Sequence, residues 1–161
     1  MTEPALANAS PVIFLARGGH LELLQLTGDR VLVPTPVAIE IRRRGSQDVT
    51  TRARERTPWL DVVEPPPVPS IIQAWDLGPG ESAVLAWAHA HPGCEAIIDD
   101  LAARRCAATL GIPVRGTLGL VLLAKKRGRI PLARPVIEAL RQAGMYLSDR
   151  VVNSALALVD E

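Results

Sequence analysis

The sequence predicts an α/β domain built on a central, mostly parallel sheet of four to five strands with helices on both faces. Three observations carry this reading. Short apolar runs, Val31-Leu32-Val33 and Ala96-Ile97-Ile98 above all, have the length and continuity of strands buried on both sides. Each run is followed at once by a helix-start signal and an amphipathic segment. The chain has 161 residues, 48% of them hydrophobic, enough for one domain with a core of its own, so residues 1–161 are read as a single unit.

Residues 4–8 supply the first strand, although Ala5-Leu6-Ala7 has little β-propensity. Ser10-Pro11 offers an N-cap with proline at the first helical position, and the helix it starts ends at Gly18-Gly19. Leucines at 21, 23, 24 and 26 predict a second short helix. Residues 30–34 form a buried strand, after which Thr35-Pro36 repeats the cap-plus-proline signal for a helix over 37–44. Residues 45–57 are polar and basic without periodicity, residues 59–63 suit an edge strand, and Pro65-Pro66-Pro67 stiffens the chain soon after it. Gly78-Pro79-Gly80-Glu81 opens a strong helix through His89. The strand at Ile97 leads through Asp99-Asp100 into a helix closed by Gly111; a strand at 112–115 leads to a helix over 118–126 that Thr117 would cap. Two further helices, 132–142 and 148–159, end the chain.

Charge and cysteine usage restrict the function classes. A formal net charge of +1 gives no global attraction to a polyanion, so nucleic-acid affinity must come from local clusters: Arg42-Arg43-Arg44, residues 52–56 and residues 125–129. Cys94 and Cys106 form no close pair, and His20, His89 and His91 do not stand at zinc-finger spacings around them. Both cysteines are read as reduced, structural thiols of a cytoplasmic protein. No apolar run reaches the roughly 20 residues of a membrane helix. The five aromatic residues, Phe14, Trp59, Trp75, Trp87 and Tyr146, form no stacking platform for bases and are read mainly as core.

Acidic residues fall at element junctions. Glu40 lies in the helix after the Val31 strand, Glu81 at a helix start, and Asp99 with Asp100 at a strand end, while the polar Asn8 ends the first strand. Hard oxygen donors from four separate segments are what a Mg²⁺ or Mn²⁺ site requires, and such ions can activate water against a phosphodiester. Each residue also has a structural explanation. Glu81 is favoured in a first helical turn by about 0.3–1 kcal/mol of dipole interaction. Glu40 could pair with Arg43 or Arg44, Asp100 could be an N-cap, and Asn8 a turn residue. Asp99 is the sharpest candidate, because a carboxylate directly after Ile97-Ile98 is costly to desolvate without a partner. Paired aspartates at a strand end also suit a phosphoryl-acceptor domain, but here they stand late in the chain rather than at its first strand.

These residues, in this order, resemble the PIN-like proteins grouped as domain of unknown function 3368. The resemblance is carried by Asn8-Ala9-Ser10-Pro11-Val12-Ile13, Val33-Pro34 with Glu40, Leu77-Gly78-Pro79-Gly80-Glu81-Ser82-Ala83, Ile97-Ile98-Asp99-Asp100 with Arg104-Arg105, and residues 110–120 with Gly116-Thr117-Leu118-Gly119-Leu120. It covers nearly the whole chain and implies a PIN fold related to the toxin ribonucleases of VapBC-type toxin–antitoxin pairs. By position it assigns Glu40, Glu81 and Asp99 to the acidic set that holds Mg²⁺ or Mn²⁺ and does the catalysis. Asn8 falls where most PIN domains carry an Asp, Asp100 is an additional ligand or supporting group, and Ser10 and Thr117 are polar residues lining the site. Arg42 and Arg43 would position RNA phosphates. The same kinship implies a small antitoxin partner and a homodimer. Asn8 is the departure: its amide oxygen can bind a metal but brings no charge. The expected function is therefore a metal-dependent endoribonuclease of toxin type, the alternative being a weak or inactive PIN-like module that binds RNA or a protein.

Overall fold

The computed structural model describes residues 3–43, 52–53 and 56–161. Arg44, and residues 54 and 55 of the second basic cluster, lie outside the described residues, as does most of the 45–57 stretch. Strand β1 (Ala5–Ala7) leads through Asn8 into α1 (Ala9–Arg17) and a 3-10 segment (Leu21–Leu26). Strand β2 (Val31–Pro34) runs straight into α2 (Thr35–Arg43), and β3 (Leu60–Val63) is followed by α3 (Ser70–Gln73) and α4 (Pro79–Ala90). Then come β4 (Ala96–Ile97), α5 (Leu101–Thr109), β5 (Val114–Arg115), α6 (Thr117–Lys126), α7 (Ala133–Gln142) and α8 (Asp149–Ala157).

The five strands form one sheet in the order β3-β2-β1-β4-β5, every pairing parallel. Leu6 of β1 stands level with Leu32 on one side and Ala96 on the other, and Ala7 stands level with Ile97. The chain moves outward in one direction through β1, β2 and β3, then returns and moves outward in the other through β4 and β5. Right-handed crossovers with opposite directions of travel place their helices on opposite faces, so both faces of the sheet are covered. Ala5, Leu6, Ala7, Val31, Val33, Ala96 and Ile97 are wholly buried, as a parallel sheet covered on both sides requires. Burial overrides the poor strand propensity of Ala-Leu-Ala: at the centre of the sheet small side chains are what close helix packing needs.

Helix starts differ from the sequence expectation in three places. α1 begins at Ala9 rather than after a Ser10 cap, α2 begins at Thr35 itself, and α6 begins at Thr117 with Gly116 in the N-cap position. Thr35 donates to the Val63 carbonyl at 3.2 Å and to Glu64 at 3.0 Å, tying α2 to β3, and Thr117 is occupied by Asp99. For both threonines a partner distant in sequence outcompetes the local cap. Ser148 and Asp100 do cap, accepting from the amides of Val151 at 3.2 Å and Ala103 at 2.9 Å. Helix α3, which the sequence expectation lacks, is a single turn that buries Ile72. Cys94 and Cys106 are free and buried; burial pushes both thiols up, with Glu3 adding to the effect at Cys94. Among the described residues no helix is long and apolar enough to cross a membrane.

The last residue fastens three helices. α7 buries Ala133, Val136, Ile137 and Leu140, one helical face, but Leu132 at its N-cap offers no side-chain acceptor. The Glu161 carboxylate takes that role, accepting from the amides of Ala133 at 2.7 Å and Arg134 at 3.1 Å and from Lys125 Nζ of α6 at 2.8 Å. The same Nζ donates to the Val159 carbonyl behind α8 at 3.1 Å. A carboxylate on a helix N-terminus satisfies amides that have no intrahelical partner and meets the positive end of the dipole.

The hydrogen bonds from Lys125 and then from Ala133 hold the Glu161 carboxyl at about 2, against an ordinary value of 4.5. A depressed native pKa means that the contribution to stability is complete above 4.5 and disappears as the pH falls towards about 2. Glu161→Gln therefore melts below the wild-type chain at neutral pH, and the gap between the two melting temperatures closes as the pH is lowered through this window; a gap independent of pH would contradict the clamp.

Candidate functional site

In an open parallel sheet the crevice at the carboxyl ends of the strands opens where the strand order reverses. Here the reversal falls between β1 and β4, and the residues beyond these two strands are Asn8 and, after Ile98, Asp99. The Asn8 amide donates to the Ile97 carbonyl at 3.0 Å, so the two strand ends are locked together. Packing of α2 on α4 brings Glu40, in the second turn of α2, to the first turn of α4 that carries Glu81.

On one side of the reversal stand Asn8, Glu40 and Glu81. Asn8 is only 4% exposed, and its Nδ2 donates to Glu81 Oε1 at 3.1 Å. A carboxylate can only accept, so the amide nitrogen must face Glu81 and the amide oxygen must face away. That oxygen, Asn8 Oδ1, is buried without a hydrogen-bond partner among the described residues. It points into a cradle that glycine keeps open: a Cβ on Gly80 would lie 3.0 Å from Asn8 Oδ1 and 3.2 Å from Glu40 Oε2. Glu40 makes no ion pair with Arg43; both instead line a cleft of about 370 Å³ with Ile39, Pro79 and Glu81. Arg42 is exposed and does not line it.

Across the reversal stands Asp99. Its Oδ1 accepts from the Thr117 amide and its Oδ2 from the Thr117 hydroxyl, both at 2.7 Å. Thr117 is wholly buried and is the first residue of α6, whose N-cap, Gly116, supplies no side chain. Asp99 thus caps a helix from a neighbouring strand, and the two short bonds fix the carboxylate's orientation. This is the partner that a carboxylate after Ile97-Ile98 demands. Asp100, by contrast, is exposed and engaged as the N-cap of α5, and the Ser10 hydroxyl makes no hydrogen bond among the described residues. Gly80 and Gly116 serve the site by leaving space, a role that the motif containing them suggests but that only three-dimensional distances define.

Among the described residues no three Asp, Glu, His or Cys side chains are gathered closely enough to hold a metal ion by themselves. The donor chemistry nevertheless fits a hard divalent cation. An unpartnered buried amide oxygen lies across a bare glycine from one carboxylate and is bonded through its nitrogen to a second, and Mg²⁺ is commonly held by one or two carboxylates with waters and substrate phosphate completing the shell. All the donors are oxygens, which suits Mg²⁺ or Mn²⁺ rather than softer ions.

A five-strand parallel sheet wound in both directions, with Asn8, Glu81 and Asp99 at its carboxyl rim, is consistent with a PIN-type domain. The chain belongs to the DUF3368 PIN domain family, whose model matches residues 4–161. No curated protein matches the chain. Membership implies nuclease-type hydrolase chemistry as the family's role, and PIN domains typically bind divalent metals.

Two substitutions test the site's construction. In Asn8→Asp a carboxylate replaces the donor to the partly buried Glu81 and faces it as a second negative charge, so the metal-free protein is destabilised by about 1–3 kcal/mol. The added charge then gives a larger Mn²⁺-induced rise in melting temperature than in wild type; equal rises would remove Asn8 from the metal centre. Thr117→Val, which deletes the hydroxyl from Asp99, costs a similar 1–3 kcal/mol or so in chemical denaturation, and Thr117→Ser recovers most of it.

Proposed function

We propose that the chain is a metal-dependent endoribonuclease of the toxin type. The observation that supports this best is the unpartnered Asn8 Oδ1 held beside Glu40 and Glu81 at the point where the strand order reverses. Asn8, Glu40 and Glu81, with Asp99 across the rim, are the residues that would hold Mg²⁺ or Mn²⁺. When bound, such an ion would polarise the phosphate and lower the pKa of a water so that hydroxide is available as the nucleophile. Asp99, fixed by Thr117, has lone pairs left with which it would accept a hydrogen bond from an attacking water and aim it at phosphorus. A P–O bond forms to the water oxygen, the bond to the ribose oxygen breaks, and the water's proton is passed to the departing side. Arg43, on the wall of the cleft beside Glu40, binds a phosphate of the strand and makes affinity salt-dependent. RNA as the substrate, a small antitoxin closing the cleft over the half-exposed Ile39, and a homodimer all rest on kinship with the toxin ribonucleases.

One observation favours a second reading, a PIN-like module that binds RNA or a protein without cutting. The Asn8–Glu81 hydrogen bond satisfies Glu81 without any cation, and the neutral amide removes one charge of attraction for metal. The two readings part in a single assay. Purified protein is incubated with a mixed structured-RNA pool and Mn²⁺, beside Asp99→Asn and a chelator control. The nuclease gives cleavage that both controls abolish; absence of cleavage by folded protein at high Mn²⁺, restored by Asn8→Asp, marks a domain silenced at that residue, and absence in both variants marks the binding module.

A further inference from the structure

Arg104 lies on α5 one turn beyond Asp100, beside Asp99. Gly116 has φ −87° and ψ 169°, a backbone that any residue adopts, so its missing side chain serves space rather than conformation. A Cβ there would come within 2.8 Å of Arg104 Nη1 and 3.2 Å of Asp99 Oδ1. The guanidinium is therefore laid across the glycine, close to the Asp99 carboxylate. The two do not pair: among the described residues the Arg104 side chain makes no ion pair or hydrogen bond, while both Asp99 oxygens are taken by Thr117. A planar cation with its side-chain donors unused among the described residues, exposed beside a site carboxylate that it does not pair with, can take an anionic group on its solvent-facing side.

The second observation is independent of that geometry. Arg104 lines a groove of about 790 Å³ between α5, α6 and α8, together with Leu118, Leu122, Arg150, Val151 and Ser154. The Arg150 side chain is exposed and also makes no ion pair or hydrogen bond among the described residues. Arg43 lies beside Glu40 and Arg104 beside Asp99, and neither side chain makes an ion pair among the described residues, so cations accompany the acids on both sides of the strand reversal.

We infer that Arg104 is a phosphate-binding residue that positions the nucleic acid strand where it leaves the acidic rim and enters the α5–α6–α8 groove. The inference rests on the nuclease reading for its substrate, but it makes a separate claim about one side chain. Arg104 acts on binding and register, gripping a phosphate bidentately, and takes no part in proton transfer. The neighbouring Arg105 lies on the same helix, is also exposed and lies outside this groove, so it serves as a charge-matched control.

The test measures fluorescence anisotropy of a short single-stranded RNA against salt concentration, with chelator present so that nothing is cut. Arg104→Ala is expected to weaken binding and to reduce the slope of log affinity against log salt by about 0.7, the share of one phosphate contact on a single strand. Arg104→Lys keeps the slope and recovers only part of the affinity, since the charge remains and the bidentate fork does not. Arg105→Ala leaves the slope unchanged, and unaltered melting temperatures for the three variants assign the effect to binding. A wild-type slope in Arg104→Ala, or an equal loss in Arg105→Ala, overturns the inference. Parallel cleavage reactions with Mn²⁺ separate this failure from that of the nuclease reading: cleavage with an unchanged slope removes Arg104 alone, whereas a changed slope without cleavage leaves Arg104 on a non-cutting RNA module. A wild-type chain that binds no RNA overturns the inference.

Discussion

The whole arrangement depends on a three-residue strand. Ala5-Leu6-Ala7 is wholly buried at the centre of the sheet, paired with β2 on one side and β4 on the other. Because the strand order reverses there, the residue after β1 is delivered to the crevice between two diverging sets of loops. The register Ala7 to Ile97, continued by the Asn8 amide bonding the Ile97 carbonyl, sets the position of Asn8 against the β4 end. Shifting this pairing by one residue would turn buried side chains to the other face of the sheet and detach Asn8 from Glu81.

Around that point the site is assembled from contacts that double as structure. Asp99 caps α6 from a neighbouring strand, so the bonds that orient the carboxylate also start the helix. Asn8 holds Glu81 with one end of its amide and leaves the other end unpartnered. Gly80 and Gly116 supply room on either side of the rim. A buried amide oxygen with no partner is an unfavourable feature in a stable core, and such exceptions concentrate where a protein binds something. The electrostatic balance is set by the same residue: two carboxylates and an amide attract a cation less strongly than three carboxylates, but they also need one less in order to stay folded.

The acids are legible in the sequence as individual suspects: Glu81, Asp99 and Asp100 stand at junctions between elements, and Glu40 lies between the apolar Ile39 and Ile41, although a solvated face explains it equally well. Their grouping is not legible. Glu40 and Glu81 are brought together by packing of α2 on α4, and nothing in the spacing of residues 40 and 81 encodes that contact. The cap roles that local rules assign to Thr35 and Thr117 fail for the same reason, since a cap signal describes what a hydroxyl can do for its own helix and not whether a stronger partner waits on another strand. Asp100 and Ser148 behave as caps because no such partner reaches them. Arg104 carries no local signal beyond its place in a motif; its meaning comes from the bare Gly116 beneath it.

Fold class, the order of the strands and longer helices, the candidate carriers of chemistry and the family resemblance can be read along the chain, because periodicity, turn residues and short motifs are properties of neighbouring positions. Packing in three dimensions settles which of those candidates meet, which oxygen has no partner among the described residues and which carboxylates also cap a helix. Those outcomes depend on distances between segments far apart in the chain, fixed by the reversal of strand order and by packing in a dense core, where a single methyl group at residue 80 or 116 would fill the space the site uses.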